Sequence, residues 1–320
     1  MKQGEVKEHS SHPSFHPSEE WCLVVPKRDA ESIRQDLLAR GILLLGAKLA
    51  PDPHDPQMLV IPLATHVPGA VKQEVKVKPP LPSLPRHELI GNIALLAEND
   101  TFAAREIMRQ RPGVQTVLHP TSVVKGSYRT KEFALLAGID TRDTIHTEYG
   151  KQFYINLEKA YFSARLANER QRIVSVMKKG ERVLDMSAGV GPFCVMLSPL
   201  ASVIYGVDIN PSAIALLHQN LLKNRVSNVI AILADSMHLN EFEFTPFDRV
   251  IINMPLDATR FLPVAIALCR PGGTIHWYVL VQQEGEYIDV LSSMGAKKIA
   301  ERRVRSYAPD KYHAVYEITV

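Results

Sequence analysis

The sequence predicts a doubly wound, Rossmann-like α/β domain preceded by two small α+β domains. Three observations predict it. From residue 158 onward, short apolar runs alternate with segments of helical period, the pattern of a mainly parallel sheet. One of these runs opens into "VLDMSAGVGPF", residues 183–193, an aspartate followed by small residues and glycines, as in loops that receive nucleotide-type ligands. The chain has 320 residues, enough for two or three domains.

Residues 1–20 are polar, rich in Ser, Pro and His and without period, and read as a disordered arm. Scattered histidines in such an arm do not make a metal site. Residues 21–63 read as strand ("WCLVVP"), helix ("RDAESIRQDLLARG", with Asp29 as N-cap and Gly41 as stop) and strand ("MLVIPL"). The polar, proline-rich stretch 64–86 reads as a linker or edge segment closing this first domain. Residues 87–157 form a second, sheet-rich unit. "HELIGNIALLA" reads as a strand, "TFAAREIMRQRPG" as a helix, and "TIHTEYGKQFYIN" as two strands about a turn at Glu148-Tyr149-Gly150.

The third domain, 158–320, starts with a helical segment that puts Leu166, Arg170, Ile173 and Met177 on one face. Strands are expected at 183–186, 203–207, 229–233, 248–253 and 273–280. Helices are expected from Pro192, at 211–224 and at 257–269. Ligands in such folds sit at the carboxyl ends of the strands.

Bulk properties exclude some classes. No apolar run approaches the roughly 20 residues of a membrane span, and no signal-peptide pattern opens the chain, so a cytoplasmic location is expected. Cys22, Cys194 and Cys269 are odd in number and far apart; neither a disulfide framework nor a zinc knuckle fits, and no metal is expected. The net charge of +3 neither requires nor excludes nucleic acid, which depends on local basic patches.

The loop reads D-x-x-x-G-x-G, with Asp185, Gly189 and Gly191. A dinucleotide loop needs a third glycine where Cys194 stands, and a P-loop needs G-K-[ST]. An acidic residue at the strand end repels a pyrophosphate and attracts an ammonium or sulfonium, which favours S-adenosylmethionine. Asp208, ending the next strand, is placed to accept ribose hydroxyls. Asp235, ending the third, is placed to accept an adenine amino group. The bland alternative is that these two aspartates merely cap the helices that follow. The fourth strand runs into "NMP", where Asn253 offers a donor and an acceptor to a planar heterocycle and Pro255 fixes the turn. Its alternative is a plain Asn-x-Pro turn.

In order and spacing, "SYRTKEFALLAG", "YFSARLANERQRI", "VLDMSAGVGPF", "VDINPSAI", "RVIINMP", "PGGTIHWY" and "VRSYAPDKYHAVYEI" resemble the archaeal-eukaryotic type of tRNA (guanine-37-N1)-methyltransferase, with the related wybutosine-pathway transferases beside it. The resemblance covers nearly everything after residue 20. It implies a class I methyltransferase domain behind a tRNA-elbow domain and an RNA-contacting domain, with tRNA bearing guanine 37 as partner, no membrane, and no stable protein partner. It also implies Glu169 as general base and Arg129 as the residue that positions and stabilises the guanine. Asn253 and Pro255 hold the base. Arg170 and Tyr161 lie at the cofactor, and Ile209 and Ser236 complete its site beside Asp208 and Asp235. Ala164 and Met254 depart from the family's usual proline and leucine, which affects packing only; a cap by Ser163 does not need the proline.

The chemistry is coherent. Guanine N1 carries a proton at neutral pH and cannot attack a methyl sulfonium until it leaves, which asks for a carboxylate. Charge then grows on O6, which asks for a guanidinium. Read as residues alone, Glu169 is a helix charge paired with Arg165 or Arg172, a reading that only the family resemblance reverses; Asp257 is the next candidate base. Arg105, Arg109, Arg111, Arg302, Arg303 and Arg305 are candidate phosphate contacts, or simply a solvated surface. The rival readings are an aminocarboxypropyl transferase or a methyltransferase of a tricyclic guanine at the same position, a non-catalytic tRNA-binding protein, and a nicotinamide oxidoreductase.

Overall fold

The computed structural model describes residues 16–77, 83–123, 126, 128–255 and 258–320. The first fifteen residues of the expected arm, the 78–82 part of the proline-rich stretch, and Asp257 lie outside the described residues. The chain divides into two compact units, 1–83 and 84–320.

The first unit holds strand β1 (His16–Pro26), helix α1 (Ala30–Ala39), β2 (Ala50–Pro51), β3 (Met58–Leu63) and β4 (Val71–Val77), in a sheet ordered β2-β3-β1-β4. Alternation along β3 sends Ile61 and Leu63 to the face that packs on Ala30 and Leu37 of α1, and Val60 to the other face with Cys22, Val75 and Val77. Residues 16–20 are not a disordered arm, which corrects the expectation there, and of the two readings of 64–86 the edge segment holds for 71–77, not the linker: the two stretches are antiparallel partners, His16 opposite Val77 through Cys22 opposite Val71. Each is a polar edge segment with little hydrophobic signature, and becomes a strand by pairing with the other. Asp29 stands at the N-cap of α1 without a capping hydrogen bond from its side chain.

The second unit opens with β5 (His87–Ile90), β6 (Ile93–Leu96), α2 (Thr101–Gln110), β7 (Thr116–Pro120) and β8 (Phe133–Gly138), then the hairpin β9 (Asp143–Glu148) and β10 (Lys151–Asn156). The expected single strand at 87–97 is two, with Ile90 paired to Ile93 across a two-residue turn; Gly91-Asn92 is a hairpin signal that the apolar run obscured. A 3-10 turn at Ala164–Leu166 leads into α3 (Ala167–Val176). Then follow β11 (Glu181–Asp185), α4 (Pro192–Leu197), β12 (Ala201–Asp208), α5 (Pro211–Lys223), β13 (Val229–Leu233), a 3-10 helix at Ser236–Glu241, β14 (Phe247–Ile252), a 3-10 turn at Ala258–Phe261, α6 (Leu262–Leu268), β15 (Cys269–Val281), α7 (Ile288–Ser293), β16 (Lys298–Ala308) and β17 (Lys311–Thr319).

The seven strands β11 to β17 form one sheet ordered β13-β12-β11-β14-β15-β17-β16. The first five are parallel and β17 and β16 antiparallel. Strand order reverses between β11 and β14, so their carboxyl ends open a crevice at the switch point. Neighbouring residues serve opposite faces: Val183 joins the core under α3, α4 and α5, and Leu184 joins the one under α6. Both faces are covered, which explains the unbroken apolar strands.

The expected domain boundary at 157 is corrected as well. One core runs continuously from Ile90 and Leu118 through Phe153 to Val183 and Val315, so 87–157 and 158–320 fold as one unit. Two asparagines make the join, Asn220 on α5 and Asn224 at its C-cap. Asn220 accepts the Tyr154 N–H at 2.6 Å and donates to the Tyr154 carbonyl at 3.1 Å and the Val190 carbonyl at 2.9 Å. One turn later, Asn224 accepts from and donates to the backbone of Gln152. The free edge of β10 thus pairs with side chains spaced four apart on a helix.

Asn220→Ala leaves three backbone groups without their partner at once, the Val190 carbonyl buried and the two of Tyr154 partly buried. Each unmade bond costs roughly 1–3 kcal/mol, partly recovered by relaxation, so urea unfolding should show a loss of about 2–4 kcal/mol. A loss under about 1 kcal/mol would mean that β10 does not depend on this edge.

Candidate functional site

At the switch point lies a cavity of about 520 Å³. The carboxyl ends of β11, β12, β13 and β14 supply Ser187, Gly189, Asp208, Asp235, Ser236 and Asn253 to its wall, and the opposite side is closed by Arg129, Tyr161 and Arg170. Of the residues expected from the sequence, Arg129, Tyr161, Arg170, Gly189, Asp208, Ile209, Asp235, Ser236 and Asn253 line it; Asp185, Gly191, Pro255 and Glu169 do not.

Asp208 accepts the Gly189 N–H at 2.7 Å on one oxygen and the Asn210 N–H at 2.9 Å on the other. Burial raises its carboxyl, against the pull of those donors. A carboxylate has about four lone-pair sites, so two remain for a ligand's hydroxyls. Asp208 is not the helix cap of the bland reading: Asn210 caps α5, accepting from Ser212 N–H at 2.9 Å. Asp235 serves both readings, capping the 3-10 helix through Met237 N–H while facing the cavity. The Ser236 hydroxyl donates to the Met186 carbonyl at 2.7 Å. Ser187, which the sequence reading missed, accepts from Asn253 N–H at 3.1 Å and so ties the ends of β11 and β14 together. Pro255 is buried behind Asn253, and its own carbonyl accepts Leu280 N–H.

Asp185 is corrected most sharply. It is 1% exposed, accepts the Ser187 N–H at 3.2 Å and faces the Cys194 thiol at 3.8 Å. Burial lifts its carboxyl to about 7, with Ser187 opposing. It braces the loop from within the core and does not line the cavity. Gly191 is likewise a packing residue. Its φ is +84°, and a Cβ there would stand 2.1 Å from Leu217 Cδ1, so glycine lets α5 close on the loop.

Arg170, 1% exposed, forms a bidentate pair with Glu148 (2.7 and 2.9 Å) and donates to the Ser163 carbonyl at 3.0 Å. Its guanidinium lies over the rings of Phe162 and Phe193. From the sequence Glu148 is only a turn residue, with no signal that its carboxylate meets an arginine 22 positions on. Ser163 contributes this carbonyl and makes no side-chain cap.

Glu169 is buried. One oxygen accepts from Arg172 Nε at 3.1 Å and lies 3.4 Å from the Tyr278 hydroxyl; the other is held by Arg302. Burial first, then Glu169, push the Tyr278 phenol up, so it stays a donor. Arg172 continues to Glu317, which lies 3.4 Å from His276 Nδ1, and His276 meets Arg249, itself paired with Glu181 at 2.7 Å. Of the arginines expected to contact phosphate, Arg302 is therefore engaged by Glu169, and Arg109 is paired with Glu106. Arg129 has φ +55° and holds its guanidinium 5.3 Å over the Tyr161 ring.

The donors present fit S-adenosylmethionine. Asp208, Asp235, Asn253 and the serines Ser187 and Ser236 face the cavity, Gly189 has φ +55° with the Tyr161 carbonyl oxygen 3.4 Å from where a Cβ would stand, and of the arginines on the wall Arg170 is already neutralised by Glu148. Among the described residues no cluster of His, Cys, Asp and Glu could hold a metal, and no helix is long and apolar enough to cross a membrane.

Residues 144–304 match the family described as the TRM5/TYW2 methyltransferase domain. The chain is 31% identical to the tRNA (guanine(37)-N(1))-methyltransferase Trm5b of Pyrococcus abyssi, over 93% of this chain and 98% of that one. The crystal structure of that protein matches with a TM-score of 0.77, covering 94% of this chain and 99% of that chain. The solved complex of aTrm5 and tRNALeu matches at 26% identity and a TM-score of 0.74, over 94% of this chain and 99% of that chain. A tRNA(Phe) (4-demethylwyosine(37)-C(7)) aminocarboxypropyltransferase of Methanocaldococcus jannaschii is 28% identical over 72% of this chain and 96% of that one.

Asp185 sets a pH signature. Its folded value of about 7 lies above the ordinary carboxyl value of 3.8. Between these, the folded chain keeps a proton that the unfolded chain has released, so stability falls as pH rises through this window and levels off above it. Each pKa unit is worth about 1.4 kcal/mol. Asp185→Asn should raise Tm at pH 8 more than at pH 5. An equal change at both would show that the carboxyl titrates normally.

Proposed function

The chain belongs to the TRM5/TYW2 methyltransferase family, and from that membership we infer that it methylates N1 of guanine 37 in the tRNA anticodon loop. The methyl donor is S-adenosylmethionine, which supplies an electrophilic methyl group on a sulfonium. The observation that carries the reading is the meeting of Asp208, Asp235, Asn253 and Arg129 in one cavity, on a chain whose similarity to an N1-methyltransferase runs the length of both proteins.

Asp208 and Asp235 hold hydroxyl and amino donors. Asn253, anchored by Ser187, presents an amide to the edge of a base brought into the cavity. A loop base is the cheapest to extract from its stack. Arg129, supported on Tyr161, offers a guanidinium to the charge that grows on O6 as N1 loses its proton. Glu169 takes that proton. Its oxygens are held by Arg172, Tyr278 and Arg302, so one of these must give way. Arg302 is the exposed partner, and an RNA phosphate competes for it.

The aminocarboxypropyl reading is the weaker one, because that relative matches 72% of this chain rather than nearly all of it. Nucleoside mass spectrometry of a transcript incubated with the protein and S-adenosylmethionine separates them. A methyl on guanine 37, lost when adenine stands there, supports N1-methylation; an aminocarboxypropyl adduct moves the assignment to the other branch.

Asp208→Ala removes a charge-assisted acceptor worth roughly 1.5–3 kcal/mol. Calorimetry should show S-adenosylmethionine affinity reduced at least tenfold with the fold intact, and unchanged affinity would remove Asp208 from the site. Glu169→Gln should lower the single-turnover rate by about 10²–10⁴ and erase the acidic limb of its pH profile, while cofactor affinity holds. Arg129→Ala should slow the step and keep the limb. A Glu169→Gln rate within threefold of wild type would make Glu169 a structural charge.

A further inference from the structure

β16 and β17 form the sheet's outer hairpin, and Arg305 stands across from His313. Two residues beyond Arg305, Tyr307 is 55% exposed, yet its ring stacks on His313 with centroids 5.6 Å apart and planes at 14°. His313 is buried. Burial first, then the charges of Arg305 and Arg129, hold its imidazole down to about 4, so it is neutral at physiological pH. No carboxylate is among the groups acting on it. Arg129 is the guanidinium at the cavity wall, and its charge is felt at His313 together with that of Arg305. The Nε atoms of Arg129 and Arg305 are both enclosed without a hydrogen-bond partner. Arg170, Arg172, Arg249 and Arg302 all have carboxylates; among the described residues these two have none.

Two uncompensated guanidiniums beside a half-exposed aromatic ring make a site for an anion joined to a flat ring. That is the chemistry of one nucleotide of single-stranded RNA, with phosphate on cation and base on aromatic face. We propose that Arg305 and the Tyr307–His313 stack form an RNA subsite beside the cavity. Arg305 takes a backbone phosphate adjoining the target guanine, beside the Arg129 that faces the guanine itself, and Tyr307 stacks on the neighbouring base. His313 supports the tyrosine from below and adds no charge. The proposal rests on the tRNA reading above and assigns the loop contact that keeps the extracted guanine's neighbour in place.

The test uses the full chain and an anticodon stem-loop RNA with guanine at 37. Arg305→Gln and Tyr307→Ala should each weaken RNA binding by about tenfold, with S-adenosylmethionine affinity and Tm unchanged. Tyr307→Phe should bind like wild type, because the stack needs the ring and not the hydroxyl. Arg305→Gln should also reduce the salt slope of binding by about one. Replacing phosphates near guanine 37 one at a time with neutral methylphosphonates should reveal one linkage whose loss weakens wild type and leaves Arg305→Gln unaffected. The proposal is overturned if both variants bind within twofold of wild type, if no linkage is silent in Arg305→Gln, or if that variant loses affinity for S-adenosylmethionine or inorganic phosphate while RNA binding holds. Wild-type chain that binds the stem-loop but never methylates it contradicts the activity, whereas these binding comparisons judge the subsite.

Discussion

The buried pair between Arg170 and Glu148 is the interaction on which the site depends. A guanidinium at 1% exposure persists only with an opposite charge in good geometry. Removing one partner of such a pair costs roughly 3–5 kcal/mol, because the other is left buried and unpaired. Glu148 closes β9 of the hairpin and Arg170 stands on α3, so this pair sets the distance between two elements that approach the cavity from different parts of the chain. Arg170 also holds the Ser163 carbonyl and covers Phe162 and Phe193. The cavity wall from Tyr161 to Arg170 is therefore a consequence of where Glu148 lies.

Around that pair, polar side chains act as structural joints. Asn220 links β10 to the glycine loop through Tyr154 and Val190, and Ser187 links the ends of β11 and β14. Asp208 clamps Gly189, and Asp185 supports Ser187 from below. The loop that lines the cavity is thus held by several hydrogen bonds from rigid elements, which preorganises it. Glu169 differs. It links Arg302 to Arg172 near one end of a polar chain that continues through Glu317 and His276 to Arg249 and Glu181, and its carboxylate is occupied in the free chain. The residues at the strand ends are thus fixed by backbone donors, whereas the Glu169 carboxylate is engaged by three side chains at once.

Much of this was legible in the sequence. Period and length placed the strands and helices of the doubly wound sheet, because a strand buried on both faces must be apolar throughout and its helices must carry a stripe. The acidic strand ends at Asp208 and Asp235, and Asn253 before Pro255, were readable because backbone geometry alone brings the carboxyl ends of parallel strands to one crevice. Local signals failed where structure came from a distant partner. The 16–20 and 71–77 segments are strands through each other, and the supposed boundary at 157 vanished into a shared core.

What the sequence by itself determined is the order of elements, the chemistry at the strand ends and the absence of a third loop glycine; these depend on residue type and on spacing within a few tens of residues. Tertiary structure alone decided which way each side chain faces. It turned Asp185 inward to a thiol, gave Gly191 to Leu217, joined Arg170 to Glu148 and Arg302 to Glu169, and left Arg129 and Arg305 without counter-charges. The reason is physical. A spacing along the chain fixes which element a residue occupies, but the partner that satisfies a buried charge comes from an element folded against it, and only packing selects that element.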